Sequence, residues 1–219
     1  DFVVVNGENA AGGFGITEKI FLQMTEEFGF DVMTTGNHWA GQRDILDFGH
    51  KYNNLLLPAN MHNVRSTERG YCIRTTKDGV PYAVINLTGR VFMLGNNECP
   101  FVWIDRILDE IGDKARIRIL DIHGETSSEK QALANYVVGR VSFVYGTHTH
   151  CPTADERIIG RRTGYVTDLG MTGAYDSVIG MRKEQSIKYF ISGEKQKYQP
   201  ATDDLWLCAV SAAVDVQTG

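Results

Sequence analysis

The feature that most constrains the fold of this chain is an alternation of short apolar segments with segments of helical period. Such alternation is typical of α/β proteins, whose strands and helices pack in layers. The segments that we predict to be strands are residues 3–5, 31–34, 55–57, 71–75, 82–87, 117–122, 141–145 and 165–166, with one or two more within 205–216. Lys77-Asp78-Gly79 lies between two of these segments and is a hairpin-type turn signal. We therefore expect an α/β sandwich whose sheets mix parallel and antiparallel strands.

Several segments between the predicted strands carry the end signals or the spacing of helices. Thr17 can accept a hydrogen bond from a free first-turn N–H as an N-cap, and Gly29 ends the helix that it opens. Further helices are predicted over 44–48 and 103–111. Thr126-Ser127-Ser128-Glu129 has the pattern of a capping box. The residues expected to face inward from the helix after it are Leu133, Tyr136 and Val137.

The composition excludes several classes of protein. Apolar residues make up 42% and charged residues 22% of the 219 residues, which is typical of a globular domain and not of a disordered chain. The 22 basic and 27 acidic side chains leave a net charge of −5, which argues against a protein that coats nucleic acid. No apolar run approaches the roughly 20 residues that cross a bilayer. Because no shift in composition marks a boundary, we interpret residues 1–219 as a single domain.

The first residues and the cysteines add two expectations. Asp1 is followed directly by the apolar run of the first predicted strand, and a chain seldom begins inside its own core. We therefore expect a first strand and helix, about 30 residues, to precede this segment. The four cysteines lie far apart without a CxxC pair, which indicates reduced, mostly buried thiols in a cytoplasmic protein. Cys151 follows a histidine, and packing as a small apolar side chain is favoured over reactivity there.

Polar side chains that can bind metals follow four of the predicted strands. In open α/β sheets, ligands bind beyond the carboxyl ends of the strands, so these side chains are expected to converge on one site. They are Glu8 and Asn9 after the first strand, Asn37 and His38 after the second, His123 after 117–122, and His148 and His150 after 141–145. One histidine at a strand end is more often structural, but four clusters at four strand ends predict metal binding.

The types and spacing of these residues fit a pair of ions. His148 and His150 are separated by two, so an extended backbone would project both rings to the same side, where they could serve two adjacent ions. Glu8 has two oxygens and can bridge a metal pair, Asn37 supplies a neutral carbonyl oxygen, and His123 adds a nitrogen. Mixed nitrogen and oxygen ligands without thiolate suit manganese, iron or zinc, and argue against a structural cysteine-type zinc site.

Other functional motifs are incomplete. Gly12-Gly13-Phe14-Gly15 lacks the Lys-Ser/Thr of a P-loop and the spacing of a dinucleotide-binding fingerprint. The sequence contains no GxSxG nucleophile elbow. His50 and His62 lie away from the strand-end clusters, and we interpret them as surface or packing residues.

Three of the strand-end motifs resemble the metal-site motifs of calcineurin-like metallophosphoesterases: Gly36-Asn37-His38, the isolated His123 and Gly146-Thr147-His148-Thr149-His150. The resemblance narrows to the bacterial YmdB-like subfamily and covers essentially the whole chain. The further stretches that carry it are Asn6-Gly7-Glu8-Asn9-Ala10-Ala11, Pro58-Ala59-Asn60, Asp121-Ile122-His123 with Ser128-Glu129-Lys130, Thr153-Ala154-Asp155, and Thr167-Asp168-Leu169-Gly170-Met171-Thr172-Gly173 through Tyr175-Asp176 to Gly180-Met181.

The resemblance implies a four-layer α/β/β/α metallophosphoesterase fold. It also implies phosphodiesterase activity on cyclic nucleotides, 2',3' or 3',5', through hydroxide activated by two metal ions, iron or manganese with zinc as the alternative. Carried over motif by motif, Glu8 would bridge the ions and His38 would be the catalytic proton donor. The remaining ligands would be Asn9 and His150 on the first ion, and Asn37, His123 and His148 on the second.

Two departures from the family pattern keep alternatives open. The first strand of the family ends in a Gly-Asp whose aspartate binds the first ion, and that segment would precede Asp1. The family also carries Trp-Asp shortly after Asn-His, whereas this chain has Trp39-Ala40-Gly41-Gln42, which alters the rim of the pocket. The alternatives are a phosphomonoesterase or nucleotidase on the same dinuclear site, and a nucleotide-sensing regulatory protein with an incomplete metal site.

The expected partner is a small-molecule phosphodiester, a cyclic nucleotide, and not a membrane or a stable nucleic-acid complex. A net charge of −5 does not conflict with an anionic substrate, because bound dications would dominate the local field. The sequence leaves a homo-oligomer open, with Trp103 or Trp206 as aromatics that could belong to its interface. We expect the protein to be cytoplasmic.

Overall fold

The strands form one large sheet and two short pairs in a computed structural model, which describes the backbone of residues 1–219 and every side chain except that of Thr67. The strands are β1 Val4–Asn6, β2 Val32–Thr34, β3 Tyr71–Thr75, β4 Pro81–Thr88, β5 Ile117–His123, β6 Phe143–Thr147, β7 Arg157–Ile159, β8 Thr163–Val166, β9 Gly173–Ala174 and β10 Leu205–Trp206. The helices are α1 Glu18–Leu22, which continues as a π-helical turn over Gln23–Glu27, α2 Ile45–Phe48, α3 Thr67–Gly70, α4 Pro100–Ile111, α5 Ser127–Tyr136 and α6 Lys183–Ser192.

The large sheet has six strands in the order β3-β4-β5-β6-β8-β7. Its inner pairs, β4–β5, β5–β6 and β6–β8, are parallel, whereas β3–β4 and β7–β8 are antiparallel. A second, parallel sheet consists of β1 and β2, and an antiparallel pair joins β9 to β10. The prediction of mixed sheets and of a hairpin between β3 and β4 is therefore confirmed.

Side chains alternate between two cores on either face of the large sheet. Along β4, Ala83, Ile85 and Leu87 pack with the apolar residues of α4 and α5. Tyr82 and Val84 point to the opposite face and pack against the β1–β2 pair. This alternation follows from the two-residue period of a strand.

The β1–β2 pair separates the second core from a third. On β2, Val32 faces the large sheet, while Met33 faces outward and packs with Phe21 of α1 and Ile45 of α2. The layers are thus helices, the six-stranded sheet, the β1–β2 sheet, and a second set of helices. The four-layer α/β/β/α prediction is confirmed.

The predicted helix signals are confirmed in most places. Thr17 caps α1 by accepting a hydrogen bond from the backbone N–H of Ile20 at 3.4 Å. The helices predicted over 44–48 and 103–111 correspond to α2 and α4. The predicted capping box is wrong, because Thr126 Oγ1 is buried and has no hydrogen-bond partner among the described residues. The carboxylate of Glu129 instead accepts the backbone N–H groups of Arg90 and Val91, in the loop after β4.

Two predicted strands are wrong or shorter than expected. Residues 55–57 lie beside β2, but they form one isolated bridge at Leu55 and no strand, since the following Pro58 prevents further pairing. Within 205–216, Leu205–Trp206 alone is a strand. Most side chains after residue 202 are exposed, although Val214 packs against the second core, so the segment buries too little apolar surface to stabilise a longer strand.

Three side chains, those of Tyr136, Cys151 and Trp103, lie elsewhere than predicted. Tyr136 points outward and its hydroxyl donates to Asp105 at 2.6 Å. Cys151 is exposed, so the expectation that it packs as a buried thiol is wrong; Cys72 alone of the four cysteines is fully buried. Trp103 is buried in α4 and is excluded from any interface, whereas Trp206 is 55% exposed. No helix among the described residues is both long and apolar enough to cross a membrane.

Candidate functional site

The strand-end residues meet at the carboxyl edge of the two sheets. Glu8 follows β1, Asn37 follows β2, His123 is the last residue of β5, and His148 directly follows β6. The structure brings these four side chains into contact around the ring of His123. Their convergence is the arrangement that the strand-end pattern predicted, and the metal-binding roles assigned to them stay predictions.

His123 is held in one orientation by Thr147. Its Nδ1 lies 3.0 Å from Thr147 Oγ1, and that hydroxyl donates its proton to Asp121 Oδ1 at 2.7 Å. Because the hydroxyl has one proton, it must accept from His123 Nδ1–H. Burial lowers the pKa of His123 well below its ordinary value, and neighbouring His148 adds to this effect, so the ring is neutral. Nε2 of His123 therefore carries a lone pair.

Three other side-chain atoms lie close to Nε2 of His123. His123 Nε2 lies 2.8 Å from Asn37 Oδ1, 3.1 Å from Glu8 Oε2 and 3.1 Å from His148 Nδ1. The other nitrogen of His148, Nε2, lies 3.1 Å from Glu125 Oε2, so Nε2 carries the proton and Nδ1 a lone pair. When Glu8 is ionised, four hydrogen-bond acceptors thus point at one another.

A cation fits this cluster of acceptors. Ligands that bind one octahedral ion at about 2.1 Å lie roughly 3.0 Å apart, which is the spacing found here. Both histidines also tie their second nitrogen to a fixed group, as metal-binding histidines do. Counting histidine, cysteine, aspartate and glutamate alone, the described side chains contain no group of three that could hold a metal ion. An ion here would therefore need the amide oxygen of Asn37 as a ligand.

Asn9 and His150 form a second pair of potential ligands. Nδ1 of His150 donates to the carbonyl oxygen of Ile179 at 3.0 Å, which leaves Nε2 with a lone pair, 3.4 Å from Asn9 Nδ2. Asn9 Oδ1 is buried and has no hydrogen-bond partner among the described residues. A buried amide oxygen without a donor is costly, and a cation beside it would remove that cost.

The two histidines of the 147–150 segment do not project as predicted. The segment is not extended, because β6 ends at Thr147 and the φ angles of His148 and His150 are 106° and 66°. These angles lie in a region that residues with a side chain rarely adopt. The turn sends the ring of His148 to His123 and the ring of His150 to Asn9. The prediction that both rings lie on the same side of an extended backbone is wrong.

His38 lies at the edge of the cluster and is partly open to solvent. Its backbone N–H donates to Glu8 Oε1 at 2.6 Å, and its Nδ1 lies 3.9 Å from the same oxygen. The ring contacts Phe14, with 4.5 Å between the ring centres. Burial lowers the pKa of His38, and the nearby charge of His150 lowers it further.

The electrostatics of the site disfavour a buried negative charge without a counter-charge. Burial raises the pKa of Glu8 to about 7, against the opposing hydrogen bond from His38 N–H, and Asp121 raises it further. Burial also raises the pKa of Asp121 to about 6. Close packing is possible because Gly36 has no side chain: a Cβ there would collide with the ring of His123.

Sequence reasoning missed five residues that shape the site: Phe14, Glu125, Lys130, Thr147 and Asp168. The position of Glu125, two residues after a strand-end histidine, was a signal of its contact with His148. Lys130 also had a signal, since it lies three residues before the inward-facing Leu133. The contacts of the other three depend on tertiary structure and leave no local pattern. His50 and His62 are exposed, as predicted.

Comparison with known proteins gives one family. The model of the family described as YmdB-like protein matches residues 1–219. The chain is 40% identical over 217 residues to the 2',3'-cyclic-nucleotide 2'-phosphodiesterase of Bacillus subtilis (strain 168), a match that covers 99% of this chain and 81% of that protein. It is 33% identical over 229 residues to a putative phosphatase/phosphodiesterase of Mycoplasma pneumoniae, with 100% of this chain and 78% of that protein covered.

Two solved structures share the fold. A hypothetical protein from Thermus thermophilus superposes with a TM-score of 0.84 at 35% identity, over 92% of this chain and 77% of that one. A novel phosphatase from Mycoplasma pneumoniae superposes with a TM-score of 0.82 at 31% identity, over 92% and 72% of the two chains. The family match over the whole length and these relatives agree, and the chain belongs to the YmdB-like protein family.

Proposed function

We propose that this protein is a phosphoric diester hydrolase that opens cyclic nucleotides at a site holding two transition-metal ions. The observation that carries the proposal is the arrangement of His123, His148 and His150: each ties one nitrogen to a neighbouring group and leaves the other with a lone pair. The lone pairs of His123 and His148 face each other, and that of His150 faces Asn9. The Bacillus subtilis relative, named a 2',3'-cyclic-nucleotide 2'-phosphodiesterase, supports 2',3'-cyclic nucleotides as the first substrates to test. The 3',5'-cyclic nucleotides are the second set.

The proposed metal ligands fall into two groups, and Glu8 would belong to both. Asn37, His123 and His148 would hold one ion, which their mutual contacts support. Asn9 and His150 would hold the other, which the unpaired Asn9 Oδ1 supports. One oxygen of Glu8 contacts His123, and Glu8 directly precedes Asn9 in the chain, which supports a bridging role for its carboxylate. Nitrogen and oxygen ligands suit iron or manganese, with zinc as the alternative.

When bound, a pair of metal ions lowers the pKa of a water and neutralises charge on a phosphodiester. The chain's own contribution is proton transfer by His38. Its side chain is 37% exposed, so a substrate can reach it, and its backbone N–H is fixed on Glu8. We propose that His38, which is open to solvent, takes up a proton beside the anionic phosphodiester and passes it to the oxygen that leaves phosphorus, a step that typically contributes about 10²–10⁴-fold to the rate.

The test combines metal analysis with a panel of cyclic nucleotides. The purified protein should contain close to two transition metals per chain and should hydrolyse 2',3'-cyclic AMP. Removal of the metals with a chelator should abolish hydrolysis, and manganese should restore it. A metal-free preparation that retains full hydrolysis would contradict the proposal.

A phosphomonoesterase on the same site is the second candidate. It is favoured by the Mycoplasma pneumoniae relative, whose name includes both phosphatase and phosphodiesterase. Assays of bis-p-nitrophenyl phosphate against p-nitrophenyl phosphate separate the two activities. The diesterase proposal predicts faster hydrolysis of the diester, and a clear preference for the monoester would replace it with the second candidate.

A further inference from the structure

Lys130 and Asp168 form an ion pair in the interior of the protein. Lys130 Nζ lies 2.7 Å from Asp168 Oδ2, and both side chains are 1% exposed. Lys130 belongs to α5, whose neighbouring inward residues, Leu133 and Ala134, are part of an apolar core. Burying two charges carries a large desolvation cost, and an apolar pair of similar size is often at least as stable. Stability alone therefore does not account for this pair.

Asp168 is bound to the turn that carries the two histidines. Its Oδ2 also accepts the backbone N–H of Thr149 at 3.2 Å, and Thr149 is the residue between His148 and His150. Its Oδ1 accepts the N–H of Gly170 at 2.9 Å. The carboxylate thus joins the chain after β8 to the centre of the histidine turn.

The 147–150 turn depends on contacts of this kind because its backbone conformation is strained. His148 and His150 have φ angles of 106° and 66°, which cost free energy in residues with side chains and persist only where surrounding contacts enforce them. Two backbone hydrogen bonds also join the chain after Asp168 to this turn. Leu169 N–H donates to the carbonyl oxygen of Gly146 at 3.0 Å, and Met171 N–H donates to that of His150 at 3.2 Å.

Gly146 makes room for Lys130 beneath this turn. A Cβ at Gly146 would lie 2.7 Å from Lys130 Cδ and would collide with the carbonyl oxygen of Thr167. Because position 146 carries no side chain, the Lys130 side chain packs against the end of β6, and its ammonium group contacts Asp168. The ammonium group balances the charge of the carboxylate and leaves its oxygens oriented toward Thr149 and Gly170.

We propose that Lys130 and Asp168 are positioning residues that hold the strained 147–150 turn so that His148 Nδ1 and His150 Nε2 face the metal cluster. The proposal rests on the proposed function in taking these two nitrogens as metal ligands. The pair does not touch substrate or metal and acts only through the turn.

The test compares the buried pair with an exposed one. The double variant Lys130→Met/Asp168→Asn removes both charges together, so no unpaired charge is left inside. The control, Arg140→Met/Asp105→Asn, removes an ion pair of 2.6 Å whose side chains are 40% and 41% exposed. Mn²⁺ affinity is measured by calorimetry on metal-free full-length protein, and hydrogen exchange of the Thr149 amide is measured by NMR.

We expect the buried double variant to bind Mn²⁺ about 10–100-fold more weakly, which is the usual effect of removing groups that orient metal ligands. Exchange of the Thr149 amide should also be faster, and the control should change neither quantity. A folded double variant with unchanged Mn²⁺ affinity overturns the proposal. Should the double variant fail to fold by circular dichroism, Lys130→Gln/Asp168→Asn, which replaces the ion pair by a neutral pair of similar size, is measured in the same way and is expected to give the same result.

Failure of the proposed function gives a different result. If the unmodified protein takes up no Mn²⁺, the metal site itself is refuted, and the exchange of Thr149 alone decides whether the pair holds the turn. Faster exchange in Lys130→Met/Asp168→Asn than in the unmodified protein supports that hold, and equal rates overturn it.

Discussion

Replacing Thr147 with valine tests whether a hydroxyl sets the proton position on His123. Valine keeps the shape of threonine and removes the acceptor that lies 3.0 Å from His123 Nδ1. Asp121 Oδ2 would still accept from Asn6 Nδ2 at 3.0 Å and from Thr34 Oγ1, but Asp121 Oδ1 would lose the donor that Thr147 supplies. The variant therefore unpairs a buried imidazole N–H and one oxygen of a buried carboxylate.

A buried donor left unpaired costs about 1–3 kcal/mol. In metal-free protein, however, His123 can move its proton to Nε2, where Asn37 Oδ1 at 2.8 Å and Glu8 Oε2 at 3.1 Å accept it. Because Asp121 Oδ1 still loses its donor, we expect the free energy of unfolding of metal-free Thr147→Val to fall by about 1–3 kcal/mol. That proton occupies the lone pair a metal needs, so Mn²⁺ affinity should fall about 10–100-fold.

Thr163→Val is the matched control. Thr163 is also a buried strand threonine, and its hydroxyl donates to Val141 O at 2.7 Å and accepts Gly139 N–H at 3.0 Å, away from the cluster. Urea unfolding should show a loss of about 1–3 kcal/mol for this variant, with Mn²⁺ affinity unchanged. The reasoning is refuted if Thr147→Val binds Mn²⁺ as tightly as the unmodified protein, or if both variants lose affinity equally.

Three further variants test other parts of the site and fold. Gly36→Ala places a methyl group against the ring of His123, and we expect calorimetry to show weaker Mn²⁺ binding together with a loss of about 1–3 kcal/mol of stability. Phe14→Leu removes the aromatic ring that packs on His38, and kcat should fall about 10-fold while metal content, measured by elemental analysis, stays constant; equal loss of both would contradict this role. Partial burial of Asp155 raises its pKa, but hydrogen bonds from two threonines and an arginine outweigh this and hold the pKa well below its usual value. Its stabilising effect is therefore present above about pH 4 and is lost as pH falls through the lowered pKa, so urea unfolding of Asp155→Asn should show a deficit at pH 7 that shrinks at about pH 3.

The layered fold was predictable from the sequence because its strands and helices bury one periodic face each. The strands β4 and β5 illustrate this, since their apolar residues alternate between two cores. Residues 55–57 were misjudged because an apolar run shows burial but not pairing, and Pro58 leaves one bridge. Residues 205–216 were misjudged because most of their apolar side chains are exposed, with Val214 packed on the second core.

The ligand cluster was also predictable, but the groups that orient it were not. Glu8, Asn37 and His123 stand at strand ends, and parallel strands bring such ends to one edge. The turn at His148 and His150 departs from the extended form because Asp168 binds it from 18 or more residues away, and no local pattern reports such a bond. The same holds for Lys130, whose partner Asp168 lies 38 residues further along the chain.

The central claim is that Glu8 joins two metal ions in one cluster, and metal stoichiometry tests it most directly. Elemental analysis of purified full-length protein should give close to two transition metals per chain, and Glu8→Ala should lose both together. Retention of one full equivalent in Glu8→Ala would remove the bridging role of Glu8. An active protein without metal would contradict the dinuclear site altogether.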